Sequence, residues 1–196
     1  MELRDVSRGQ PIDHIASVAS FFISRVDTLG DRIQAAREDG DTAAQERLGG
    51  LMGKAAIGNA RLAYARFRKV FASERFARLK ALGASEQRPL WASTSVKNPA
   101  FRDVRHVEEL IGPETVNTLP LETIRAFQNH GTVSRTVDRG VEDARLTLRA
   151  LAEEAGLDFG AVTQQLEAEG LALLTHAYDE LIAGVDKKRQ EMRGLS

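Results

Sequence analysis

The chain has no cysteine. That excludes disulfide frameworks, thiolate zinc sites and cysteine nucleophiles. Excess charge is also lacking: 27 Lys+Arg stand against 28 Asp+Glu, a formal net charge of -1. No strong field draws the chain to nucleic acid or to an anionic membrane, so neither is an expected partner. No apolar run approaches the ~18 residues that a membrane span needs. Residues 1–10 are charged and carry no apolar export segment. Lysine is scarce, six residues against 21 arginines. Neither a fixed-period repeat nor a low-complexity linker occurs. These absences, taken together, predict a soluble cytoplasmic protein.

What is present is ordinary for a folded domain: 42% hydrophobic and 28% charged residues among 196. Three short segments read as buried strands. Residues 17–24, SVASFFIS, are apolar and aromatic. Residues 89–95, PLWASTS, begin at a proline and end in hydroxyls. Residues 115–119, TVNTL, sit between Gly112-Pro113 and Pro120. Helical patterning covers about 26–38, 43–72, 74–82, 103–111, 120–130, 141–155, 159–169 and 171–191. Strands alternating with helices predict an α/β fold with a parallel sheet. So small a sheet leaves an uncovered edge and face. Val18, Ala19, Phe21, Phe22 and Ile23 are the residues expected to be exposed there, favouring self-association.

Four segments carry a family resemblance: SVASFFISRVD at 17–27, GKAAIGNARLAY at 53–64, WASTSVKNPAF at 91–101 and LIGPETVNTLP at 110–120. A fifth, AVTQQLEAEGLALLTHAYDELI, lies at 161–182. In register along nearly the whole chain, they resemble transaldolase, in its longer bacterial branch. The resemblance implies a (β/α)8 TIM barrel. It also implies transfer of a dihydroxyacetone unit between sugar phosphates in the pentose phosphate pathway. That transfer runs through a lysine Schiff base without metal or organic cofactor. The three strands resemble the barrel's sixth, seventh and eighth, so an incomplete barrel is expected, the C-terminal half only. Residues 1–140 would hold the last three βα units and residues 141–196 the C-terminal helices. A complete barrel typically needs roughly 250 residues.

Ser95 and Lys97 follow the second strand two residues apart, one strand period, so they can face the same way. Arg25 follows the first strand, five residues after Ser20. The family has S-x4-R after its sixth strand and S-x-K/R after its seventh, both contacting phosphate and substrate. The resemblance therefore nominates Ser20, Arg25, Ser95 and Lys97 as phosphate- and substrate-binding residues. Phosphate often binds near the last two strands of such barrels, at their C-terminal face.

The resemblance also marks what is missing. The family's Schiff-base lysine lies in a fourth-strand sequence of the type I-K-I-P-A-T, and its acid/base carboxylates lie on the first and third strands. No such segment occurs among Lys54, Lys69, Lys80, Lys97, Lys187 and Lys188. No catalytic residue is nominated, and the chain is expected to be inactive alone. Asp27 and Glu122 near strand ends are read as helix N-terminal groups. His14, His106, His130 and His176 are scattered and are read as surface or capping residues, not metal ligands. Alternatives are a split-enzyme subunit completed by an N-terminal half-barrel polypeptide, or a non-catalytic sugar-phosphate-binding module. Residues 151–170 also scan as helix-turn-helix, but the second helix offers Glu167 and Glu169 and no basic residue.

Overall fold

The computed structural model describes residues 12–27, 51, 53–153 and 158–194. They divide into two compact units, one reaching Leu157 and one starting at Asp158.

The first unit is built on a three-stranded parallel sheet of β1 (Val18–Phe22), β2 (Arg88–Ala92) and β3 (Val116–Asn117), in that order. The register sets Ser20 beside Leu90, Phe22 beside Ala92 and Leu90 beside Val116. Alternation along β1 gives two different faces. Phe21 turns toward Trp91, with ring centroids 5.5 Å apart. Val18 and Phe22 turn the other way and stay 41% and 46% exposed.

Helices cover the Phe21–Trp91 side. α1 (Ala55–Phe71) buries Ala56, Ile57, Ala60, Tyr64 and Phe67 against Trp91, Leu110 and Val137. The buried indole N–H of Trp91 donates to the Leu110 carbonyl at 3.1 Å, so the ring is buried without an orphan donor. α2 (Glu74–Lys80) starts at Ser73, whose hydroxyl accepts the Phe76 N–H, and it builds a smaller core of Ile12, Phe76 and Ala84. The short α3 (Arg105–Glu108) leads to β3, and α4 (Leu121–His130) starts after Pro120. α5 (Val141–Glu153) lies along α1. The second unit is one long helix, α6 (Phe159–Gly194), capped by Asp158, which accepts the Gly160 and Ala161 N–H groups.

The α/β alternation is therefore present in a small open sheet, with α1 packed on its Phe21–Trp91 side. Several boundaries differ from the sequence reading. β1 stops at Phe22 because residues 23–27 are already helical, with the Ser24 N–H donating to the Ser93 carbonyl. Ile23 thus enters the core at 1% exposure, and Ala19 and Phe21 are half-buried, so only Val18 and Phe22 of the five expected residues are exposed. α1 starts at Ala55, after Gly53 at φ +64°. The expected helix at 26–38 and the start of the next lie mostly outside the described residues. The two helices expected at 159–169 and 171–191 are one, because an interior glycine such as Gly170 costs only ~1 kcal/mol relative to alanine.

Candidate functional site

Parallel α/β sheets place ligands at the C-terminal ends of their strands, where loops expose backbone and side-chain polar groups. At that end of β1 and β2 the sequence supplies hydroxyls. Ser93 takes φ +56°, a left-handed conformation unusual for a residue with a side chain. Its hydroxyl lies 2.7 Å from that of Ser24 across the two strand ends. The buried Thr94 hydroxyl donates to the Asn117 side-chain carbonyl at 2.9 Å, tying the β2 end to β3. The Thr118 N–H donates to the Trp91 carbonyl at 3.0 Å. These bonds fix the loop that carries the next cation.

Ser20 lies in the middle of β1, exposed, on the face shared by Val18 and Phe22. Arg25 is half-buried in the helical turn, its guanidinium 4.8 Å from the centre of the Phe22 ring. A cation stacked on an aromatic face keeps its outward N–H groups available. Ser20, Phe22 and Arg25 therefore share the side of the sheet that the described residues leave open. Ser95 is half-buried and Lys97 exposed, both in the loop after β2. Lys97 makes no ion pair among the described residues. The arrangement offers two cations and several hydroxyls around the ends of two adjacent strands, suited to an oxyanion.

A buried polar pair beside this site escaped the sequence reading. Asp27 is 7% exposed and His106 3%. The Asp27 carboxylate accepts the Ala56 N–H at 2.9 Å and meets His106 Nε2 at 2.9 Å. Asp27 does serve a helix N-terminus, as its residue type suggests, but that of α1 rather than of its own turn. His106 is not a surface residue: its 79-residue separation from Asp27 leaves no local pattern to read. His130 does sit at a helix end, where Nε2 meets Asp103 at 2.8 Å and holds that carboxyl below its ordinary range. Glu122 stands in the first turn of α4.

All six lysines are exposed, and none lies on a strand. No group of three His, Asp or Glu side chains among the described residues could hold a metal. A hollow of about 600 Å³ lined by Ile15, Ser17, Phe71, Phe76 and Gln87 lies at the opposite, N-terminal ends of β1 and β2, away from these polar groups. No helix among the described residues is long and apolar enough to cross a membrane.

The fold class is thus α/β, a parallel sheet with Arg25 and Lys97 just past the ends of its first two strands. Comparison with known proteins narrows it. The family Transaldolase/Fructose-6-phosphate aldolase matches residues 6–185. Transaldolase 1 of Streptomyces coelicolor is 48% identical over 174 residues, which is 88% of this chain and 44% of that protein. The transaldolase of Acidothermus cellulolyticus is 42% identical over 195 residues, 97% of this chain and 49% of that protein. The transaldolase of Trichodesmium erythraeum is 40% identical over 189 residues, 95% and 50% of the two chains. The chain belongs to the transaldolase/fructose-6-phosphate aldolase family. It spans about half the length of these curated relatives.

Proposed function

We propose that the chain is the phosphate-binding, C-terminal half of a transaldolase barrel. In this reading β1, β2 and β3 correspond to the barrel's last three strands. Residues 1–140 carry their βα units and residues 141–196 the closing helices. Arg25 and Lys97 hold the phosphate of a sugar phosphate, with Ser20 and Ser95 contributing hydroxyls. The observation that carries the reading is the placement of both cations just past the C-terminal ends of the adjacent parallel strands β1 and β2.

The lysine chemistry is assigned elsewhere. A Schiff-base amine must be neutral often enough to attack a carbonyl, which requires a site that disfavours the ammonium. Six solvent-exposed lysines do not offer one. Transfer of a dihydroxyacetone unit between sugar phosphates would then require the barrel's remaining strands in addition to these three. The uncovered face of Val18, Ser20 and Phe22 suits such a completing layer.

Co-expression with the N-terminal half of a transaldolase, followed by an activity assay, tests this. Activity is expected from the pair and not from the chain alone. Borohydride trapping of a fructose 6-phosphate adduct on the isolated chain would overturn the assignment of the nucleophile to the other half. Failure of fructose 6-phosphate or inorganic phosphate to bind the chain, alone or paired, would overturn the phosphate site.

A further inference from the structure

The helical turn that carries Arg25 is fastened on both sides. Just before Arg25, the Ser24 N–H donates to the Ser93 carbonyl at 3.0 Å, and the two serine hydroxyls lie 2.7 Å apart. Just after it, the buried Asp27 carboxylate meets His106 Nε2 at 2.9 Å and accepts the Ala56 N–H at 2.9 Å. Ser93 stands at the start of the loop after β2, and His106 just past its end, in α3. The turn after β1 and the loop after β2 are therefore cross-linked twice. Arg25 lies one and two residues from its anchors, Lys97 four and nine from its own. The clamp holds Arg25 closely and Lys97 loosely.

Helix capping accounts for only half of the second anchor. One oxygen of Asp27, Oδ1, accepts the Ala56 N–H and serves the first turn of α1. The other, Oδ2, is taken by a histidine 79 residues away. A carboxylate only accepts, so Nε2 carries the hydrogen of this bond. The remaining ring nitrogen, Nδ1, is buried and has no partner. His106 is thus buried with a single side-chain bond, the one to Asp27. A buried polar pair adds little stability over apolar groups of the same shape, because both partners are first stripped of water. A directional bond does fix the position of the chain that carries it. That matters at Arg25, whose guanidinium stacks 4.8 Å from the centre of the Phe22 ring. The stack holds only while the turn keeps the two residues in place.

We propose that Asp27 and His106 are positioning residues for Arg25: their bond fixes the turn after β1, so that the guanidinium is already aimed when a phosphate arrives. This rests on the phosphate-binding reading of Arg25 and Lys97. Prior ordering of a binding group lowers the entropy lost on association, so the effect falls on affinity.

Titration of the full chain with inorganic phosphate tests this, with a thermal melt of every variant alongside. His106→Phe fills the place of the ring without a donor and should weaken binding about tenfold. His106→Gln returns an N–H donor near the position of Nε2 and should bind within about twofold of the unmodified chain. On an Arg25→Gln background His106→Phe should weaken binding no further. On a Lys97→Gln background it should still weaken binding about tenfold. A general loosening of the fold would not distinguish the two cations. His106→Leu supplies the same readout where the phenyl ring is not accommodated. Equal losses on both backgrounds would overturn the proposal. So would unchanged binding by His106→Phe, or a loss that His106→Gln does not reverse. Absence of phosphate binding by the unmodified chain, alone or completed by an N-terminal half, would instead overturn the phosphate site itself, and the positioning role with it.

Discussion

The two faces of the sheet differ although they are built from alternating residues of the same strands. On one face Phe21 packs on Trp91, and Ile23, Tyr64, Phe67 and Leu110 close around them. On the other face Val18, Ser20 and Phe22 meet solvent. Parallel sheets are usually buried on both faces. The contrast teaches where stability and function divide. The helix-covered face holds the fold together. The open face and the strand ends carry the groups assigned to substrate and to the rest of the barrel.

The comparison can be broken most forcefully at Trp91. Trp91→Ala removes a 1% exposed ring and its bond to Leu110, and should cost about 3–5 kcal/mol by chemical denaturation. Asp27→Ala should cost about 2 kcal/mol, because it strips the Ala56 N–H of its acceptor and leaves His106 buried without a partner. Tyr64→Phe should cost about 1 kcal/mol through loss of the bond to the Pro113 carbonyl. It should also change the alkaline limb. Burial raises the Tyr64 pKa above its ordinary value, so the fold favours the neutral phenol. That contribution is complete below pH ~10 and is lost as pH rises through the raised value, which a pH-dependent melt would show for the native chain and not for Tyr64→Phe.

On the open face the same measurements should register little. Phe22→Ala should change stability by under about 0.5 kcal/mol. A loss comparable to that of Trp91→Ala would mean that the face is covered. Lys97→Gln should leave stability unmoved. Phosphate or fructose 6-phosphate titration should show about tenfold weaker binding, matching the removal of one charge-assisted contact.

Much of this was legible in the sequence, and the rest for definite reasons was not. Proline, glycine and hydroxyl punctuation located all three strands, and the order of elements gave the parallel sheet. Family motifs placed Arg25 and Lys97 beyond adjacent strand ends. Strand ends were less legible: Ile23 continues the apolar run of β1 yet begins a helix, where the N–H of the next residue, Ser24, is held by the carbonyl of Ser93, far along the chain. The Asp27–His106 pair and the Thr94–Asn117 bond join distant segments, and no spacing rule reports them. The helices expected at 159–169 and 171–191 run on through Gly170, which is helix interior.

Gly112 places a limit of another kind on the molecule. A methyl group there would lie 2.2 Å from a Val137 methyl, and Val137 is wholly buried. The backbone of Thr136 and Val137 is in turn held by the Ile111 carbonyl, so neither side of the seam can step back. Tolerance of change at position 112 therefore depends on position 137. A chain that gains a side chain at the first must lose volume at the second, and the two sites can drift only as a pair.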